Sequence, residues 1–174
     1  YPELPSMQEV YGLNPVGIAG YPMYRGIASV VGMDTPETDW DVDAELDLLQ
    51  RRWRANADED FYYVHVKKTD SAGEDGDFDK KVHLLEEIDA RIPRILELEP
   101  EVLVVTGDHS TPSVMGSHSW HPVPTVIASD RGIPLPGGQL TERSCAAGTL
   151  GQIPSSALMA LVLAHAGRLA KFGA

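Results

Sequence analysis

The feature that most constrains the fold is an alternation of short apolar runs with longer segments of helical periodicity. Short runs with the length of buried strands cover residues 15–20, 61–66, 101–106 and 123–129, and the second of them is rich in β-branched and aromatic residues. Strands that alternate with helices usually form a parallel sheet covered by helices. The sequence therefore predicts an α/β fold with a mostly parallel sheet and flanking helices.

The helical segments are recognised by apolar spacing and by their ends. In the segment that begins at Asp41, apolar residues recur on one face: Val42, Leu46, Leu49 and Trp53. Further helices are predicted over residues 21–33, from Phe78 to a stop at Pro93, and from Ser155 to Phe172. Polar residues 67–77 and the Pro- and Gly-rich residues 131–138 are predicted to be loops.

Length and composition predict one acidic domain that comprises residues 1–174. The net charge is −12, from 26 acidic and 14 basic residues, and such a surface repels nucleic acid. The single cysteine, Cys145, excludes a disulfide framework and a cysteine-based zinc site, and it indicates a reducing compartment such as the cytoplasm. The longest apolar run, residues 157–167, is too short to span a bilayer, so no membrane partner is expected.

Acidic and imidazole side chains cluster behind two of the predicted strands. Asp70 and Glu74 lie four residues apart after the second strand, and Asp108, His109 and His118 follow the third. Ligands in folds of this kind bind at the carboxyl ends of the strands, so these two segments are the expected place for a site. Carboxylates and imidazoles are ligands for Mn, Zn, Fe or Mg.

Spacing alone leaves two interpretations of this cluster open. In the first, the cluster holds two metal ions, and two ions about 3.5–4 Å apart can clamp a phosphoryl group. Asp108 and His109 would then hold one ion. The other ion would be held by Asp70, Glu74 and His118. In the second interpretation the same side chains are solvated surface charges, and Asp108 caps a turn.

The other histidines and the cysteine carry weaker signals. His121 is expected to support a metal ligand or to contact substrate, although a surface role is open as well. His65 lies within a predicted strand and is expected to be a hydrogen-bonded residue in or near the core. His83 is expected to be exposed and His165 to be structural. Cys145 is expected to be a small buried residue rather than a nucleophile.

Four motifs in sequence order resemble one family. They are "YPMYRGIASVVGMD" (21–34), "HVKKTDSAGEDGDFDKKVHLLEEID" (65–89), "VTGDHSTPSVMGSHSWHPVP" (105–124) and "ERSCAAGTLGQI" (142–153). Together they resemble the archaeal-type cofactor-independent phosphoglycerate mutases, which belong to the alkaline phosphatase superfamily. The resemblance extends from about Glu9 to Ala174, and it implies a three-layer, alkaline phosphatase-like fold.

The resemblance implies an isomerase of glycolysis and gluconeogenesis that interconverts 3-phosphoglycerate and 2-phosphoglycerate through a phosphoserine intermediate. It implies two divalent metal ions, with Mn most typical and Mg or Zn also used. By motif, one ion is held by Asp70, Glu74 and His118. Asp108 and His109 correspond to ligands of the second ion. Lys67 is the candidate for binding the phosphate or carboxylate of the substrate.

Two departures from the family pattern limit these implications. The residue four positions after Asp70 is usually His, and here it is Glu74, whose carboxylate favours Mn or Mg over Zn. The chain also resembles only the carboxyl-terminal part of the family, and no counterpart of the nucleophilic Ser or of the inserted domain is found. Together with Tyr1 as the first residue, this suggests a fragment whose missing amino-terminal half is its natural partner. The absent strand would leave a sheet edge that invites a second copy.

Three functions remain open from the sequence. The leading one is a phosphoglycerate mutase to which this chain contributes part of the metal site, so that the 174 residues alone are expected to be inactive. The alternatives are another metal-dependent phosphohydrolase or phosphotransferase of the same superfamily, and a metal-binding module without catalysis.

Overall fold

The computed structural model describes residues 4–55, 57–133 and 139–169. The chain divides into two compact units. The first unit contains residues 1–72 and 78–98, and the second contains residues 73–77 and 99–174.

The first unit is built from two strands and several helices. Its elements in chain order are α1 (Met7–Tyr11), β1 (Pro15–Ala19), α2 (Pro22–Val30), α3 (Val42–Ala55), β2 (Phe61–His65), α4 (Lys68–Glu74), α5 (Phe78–Asp89) and α6 (Ile92–Leu96). Helix α4 begins in this unit and ends in the second. The predicted strands and the long amphipathic helix from Asp41 are confirmed, with bounds that shift by one or two residues.

Strands β1 and β2 pair in parallel, from Pro15 opposite Phe61 to Ala19 opposite His65. Every residue of β1 is buried, as expected for a strand that is covered on both faces. The core of this unit joins β1 to α3 and to Leu98, which lies two residues after α6. Its buried members are Val16, Ile18, Val42, Leu46, Leu48, Leu49 and Leu98.

Helix α3 is also held by ion pairs at its carboxyl-terminal end. The Arg52 guanidinium contacts the carboxylates of Asp34 and Glu59, and the hydroxyl of Tyr62 donates a hydrogen bond of 2.8 Å to Glu59. Burial and the neighbouring Glu59 raise the pKa of Tyr62 above its ordinary range, so the phenol keeps its proton and remains a donor. This network ties the end of α3 to the start of β2.

The second unit contains β3 (Val102–Val105), β4 (Val126–Ser129), α7 (Glu142–Ala146), a 3₁₀ helix (Ser155–Ala157) and α8 (Leu158–His165). Strands β3 and β4 pair antiparallel, which differs from the parallel pairing of β1 and β2. A parallel connection needs a crossover, usually a helix. The residues between β3 and β4 form turns and a β-bridge instead, so the chain returns in the opposite direction.

Two predicted elements differ from the structure. Residues 67–77 were expected to be a loop, but α4 occupies most of them. Ala72 in this helix is fully buried, and its packing stabilises α4 although the polar sequence of the segment does not predict a helix. The final helix ends at His165, because Gly167 turns the chain with a φ of 69°. Its predicted end at Phe172 and most of the predicted loop 131–138 lie outside the described residues.

The described helices are all too short or too polar to cross a membrane.

Candidate metal centre

Two of the predicted ligands, His109 and His118, are brought together by a closed loop in the second unit. The amide of Ser119 donates a hydrogen bond of 2.9 Å to the carbonyl of Ser110, and the two residues form an antiparallel β-bridge. His109 directly precedes Ser110 and lies just outside the loop that this bridge closes, whereas His118 directly precedes Ser119 and lies just inside it. Their ring centroids are 3.9 Å apart. A backbone contact thus places two imidazoles side by side although nine positions separate them in sequence.

A tight turn at the tip of this loop lies against the end of α4. The amides of Met115 and Gly116 both donate to the carbonyl of Pro112, at 2.9 and 3.1 Å. Gly116 has a φ of 57°, and a Cβ at this position would lie 3.4 Å from the carbonyl oxygen of Glu74. The left-handed conformation and the close backbone approach both favour glycine here. The turn therefore sets the distance between the loop and Glu74.

The donor atoms in the second unit have the separations expected of metal ligands. Glu74 Oε1 lies 3.3 Å from His118 Nε2, and Asp108 Oδ2 lies 3.5 Å from His109 Nε2. Two ligands bound at about 2.1 Å, with about 90–110° between them, are themselves about 3.0–3.5 Å apart. Each carboxylate–imidazole pair can therefore serve one cation, and this donor chemistry fits a divalent metal. Glu74 and His118 are both about half-exposed, so an ion can reach them from solvent.

Thr111 orients one of these imidazoles, and sequence reasoning missed it. Its side chain is buried, and its Oγ1 lies 3.1 Å from His109 Nδ1. A hydrogen bond at one ring nitrogen fixes the orientation of the ring and directs the other nitrogen, here Nε2, toward a ligand position. The only signal in the sequence is a hydroxyl residue two positions after a histidine, which is too common to be informative.

The other two predicted site residues, Asp70 and Lys67, lie in the first unit. Asp70 is in the first turn of α4, where the helix dipole favours a negative charge, and its carboxylate contacts the ammonium of Lys67. Helical periodicity puts Asp70 one turn before Glu74 on the same side of α4. The Lys67 ammonium also lies over the ring of Tyr21, 5.8 Å from its centroid.

The remaining histidines and the cysteine occupy structural or surface positions. His121 is exposed, and its Nδ1 lies 2.9 Å from the hydroxyl of Ser119. His65 is half-buried and stacks on the ring of Tyr24, with centroids 3.5 Å apart. His83 is exposed on α5, as expected.

His165 and Cys145 both contact residues near β4. Ser129 Oγ lies 2.6 Å from His165 Nδ1, a contact that ties the end of α8 to β4. Cys145 is partly buried, and its Sγ lies 3.7 Å from the carbonyl of Thr125. The His165 contact agrees with the structural role expected from the sequence, whereas Cys145 was expected to be buried and is only partly so.

Comparison with known proteins agrees with this donor chemistry. The sequence profile of the metalloenzyme superfamily matches residues 1–165. The chain belongs to the metalloenzyme superfamily. A curated relative from Thermotoga neapolitana, named probable 2,3-bisphosphoglycerate-independent phosphoglycerate mutase, is 54% identical over 177 residues that cover 100% of this chain and 43% of that protein. The chain thus spans less than half the length of the curated relatives it matches. The resemblance to the cofactor-independent mutases is confirmed.

Solved structures confirm the predicted fold class. The structure of the PH0037 protein from Pyrococcus horikoshii matches with a TM-score of 0.88 and 29% identity, covering 100% of this chain and 54% of that one. The cofactor-independent phosphoglycerate mutase from Thermoplasma acidophilum matches with a TM-score of 0.73 and 22% identity, covering 95% of this chain and 40% of that one. The superfamily member described here therefore has the α/β, alkaline phosphatase-like fold.

Proposed function

We propose that this chain is part of a metal-dependent phosphoglycerate mutase that interconverts 3-phosphoglycerate and 2-phosphoglycerate. The observation that carries the proposal is the pairing of Glu74 with His118 beside the ring of His109, in a chain 54% identical to a protein named as such a mutase. Cations bound at this site would stabilise the negative charge of a transferring phosphoryl group.

The ligand assignment keeps the two sets of residues that the sequence suggested. We propose that Glu74 and His118 share one ion with Asp70, which helical periodicity places beside Glu74 on α4. Asp108 and His109 would hold the second ion, with Thr111 fixing the ring of His109. Three carboxylates among these five ligands favour a hard cation, so Mn is the expected metal, with Mg or Zn as the alternatives.

Lys67 is proposed to bind the substrate. Its ammonium contacts the carboxylate of Asp70 and lies over the ring of Tyr21, so the side chain is already held near a proposed ligand. A cation held by Asp70 would share the charge of the carboxylate, which would leave the Lys67 ammonium available for a phosphate or carboxylate oxygen.

A phosphoserine intermediate requires a nucleophilic serine, which the family resemblance assigns to the amino-terminal half and not to these 174 residues. We therefore expect the 174-residue chain alone to show no mutase activity, whereas the complete protein is active in the cytoplasm. Turnover of 3-phosphoglycerate by the purified 174-residue chain would contradict this proposal. A complete protein that hydrolyses phosphate esters without isomerising phosphoglycerate would instead identify a phosphohydrolase of the same superfamily.

The metal assignment is tested by removing single ligands from the complete protein. We expect His118→Ala and Asp108→Ala each to weaken Mn binding by at least about tenfold, since even the loss of a group that only supports a ligand costs that much. Elemental analysis after dialysis against limiting Mn measures the retained metal. His83→Ala is the matched control, because His83 is exposed on α5. Equal metal content in all three variants would refute the assignment.

A further inference from the structure

Glu45 of α3 is a carboxyl group inside the first unit that the proposed chemistry does not use. Only 1% of its surface is exposed, and the other fully buried side chains of comparable size are the apolar Val16 and Ile18. Glutamate is rarely buried to this extent unless its carboxyl group has a specific partner. The partner here is a backbone amide: Gly20 N donates a hydrogen bond of 2.9 Å to Glu45 Oε1.

Gly20 follows β1 directly and is confined on its other side as well. A Cβ at this position would lie 2.5 Å from the Cα of Trp40 and 2.7 Å from the carbonyl oxygen of Asp39. The backbone of Gly20 is therefore held between the Glu45 carboxyl group and the chain at Trp40. This arrangement fixes the direction in which the chain leaves β1.

The next residue, Tyr21, links the fixed backbone of Gly20 to the side chain of Lys67. The Tyr21 ring packs on Trp40 with centroids 5.1 Å apart, and its face lies under the Lys67 ammonium at 5.8 Å. A cation over an aromatic face within about 6 Å is attracted to it. The position of the Lys67 ammonium thus depends on a ring whose backbone is fixed one residue earlier.

We propose that Glu45 is a positioning residue for Lys67, acting through the backbone of Gly20 and the ring of Tyr21. Its carboxyl group does not contact substrate or metal. Its role is to hold the end of β1 so that the Tyr21 ring presents its face to the ammonium beside Asp70. The substrate-binding part of this role rests on the proposed function, whereas the positioning of Lys67 can be measured independently of any activity.

Two conservative variants of Glu45 distinguish the effect of side-chain length from the effect of an ionisable group. Glu45→Asp keeps an ionisable carboxyl group but withdraws it from Gly20 by one methylene. Glu45→Gln keeps the length and an oxygen acceptor but removes the charge. If Glu45 positions Lys67 through the Gly20 hydrogen bond, the aspartate variant is impaired and the glutamine variant is not. Leu46→Ala is the control, because Leu46 is a buried neighbour on the same helix.

The first measurement is the NMR signal of the Lys67 ε-methylene group in the complete protein, assigned with Lys67→Arg. We expect the ring current of Tyr21 to displace this signal in the wild type, because the Lys67 ammonium lies 5.8 Å from the ring centroid, and Tyr21→Leu to remove the displacement. We expect Glu45→Asp to lose at least half of it, and Glu45→Gln and Leu46→Ala to keep it. A full displacement in Glu45→Asp, an equal loss in Leu46→Ala, or no effect of Tyr21→Leu would overturn the proposal.

The second measurement is steady-state kinetics of the same variants with 3-phosphoglycerate. We expect Glu45→Asp to raise KM several-fold with a smaller change in kcat, because a displaced Lys67 weakens substrate binding, and Glu45→Gln to restore the wild-type KM. An unchanged KM in Glu45→Asp would overturn the substrate-binding part of the role. If the wild type has no mutase activity, the proposed function fails, while the NMR result still decides whether Glu45 positions Lys67.

Discussion

The buried carboxyl group of Glu45 makes the stability of the first unit depend on pH. Burial raises the pKa of Glu45 from 4.5 to about 7, and the nearby Asp41 carboxylate adds to the increase. The Gly20 amide and the Lys68 ammonium act in the opposite direction but do not cancel it. In the unfolded chain, where Glu45 is solvated, the carboxyl group ionises near its ordinary pKa.

The sign of the effect follows from which state holds the proton. Between pH 4.5 and about 7 the folded chain keeps a proton on Glu45 that the unfolded chain has released. The free energy of unfolding therefore falls as the pH rises through this interval and changes no further above it. One pKa unit corresponds to about 1.4 kcal/mol, so the cost of the ionised carboxylate reaches about 3 kcal/mol at pH 8.

Glu45→Gln removes this cost, because an amide of the same length cannot ionise and still accepts the Gly20 hydrogen bond. We expect the variant to be more stable than wild type by about 3 kcal/mol at pH 8 and by less than about 1 kcal/mol at pH 5. Urea denaturation at both pH values measures the two differences. Glu37→Gln, which removes an exposed carboxylate from the same unit, controls for net charge. A stability difference that is the same at pH 5 and pH 8 would refute the reasoning.

Three further substitutions test the packing. Gly20→Ala should lower the free energy of unfolding by about 2 kcal/mol in urea denaturation, because there is no space for the new Cβ. Gly26→Ala is the control: no atom lies within 4 Å of its new Cβ, so it should be neutral or stabilising. Arg52→Met breaks both ion pairs at the end of α3 and should cost about 1–2 kcal/mol in the same assay, whereas Arg51→Met, at an exposed neighbouring position, should cost little. Ser129→Ala removes the contact with the imidazole at the end of α8 and should lower the free energy of unfolding by about 1 kcal/mol; an unchanged value would mean that this contact stabilises nothing.

The long elements could be predicted from the sequence because tertiary packing and local pattern agree in them. In α3 the apolar spacing marks the face that packs in the core, and β1 is a run of residues with no polar side chain. The short helices α1 and α7 were missed, because five residues carry too little periodicity. Their caps nevertheless follow known patterns: Ser6 and Glu9 form a capping box, and Thr141 accepts a hydrogen bond from the Ser144 amide.

The candidate metal centre was only partly visible in the sequence. Clustering of His109 and His118 after one strand was enough to propose a site. The sequence could not show whether Glu74, which stands where the family usually has His, lies near another candidate ligand. The structure has its carboxylate 3.3 Å from the imidazole of His118. Glu45 gave no signal at all, because an acidic residue in an amphipathic helix is ordinarily assigned to the exposed face. Its burial depends on a hydrogen bond from the Gly20 amide at the end of a neighbouring strand, which no pattern within α3 records.

The hydrogen bond between Ser110 and Ser119 uses only backbone atoms, so replacing a side chain at the tip of the loop removes neither its donor nor its acceptor. Val114 lies at that tip with 95% of its surface exposed. A cysteine introduced there can carry a fluorophore a few residues from both imidazoles without altering a donor atom. The loop thereby offers an attachment point for an optical reporter of cation uptake, one that needs no turnover and no phosphorylated compound.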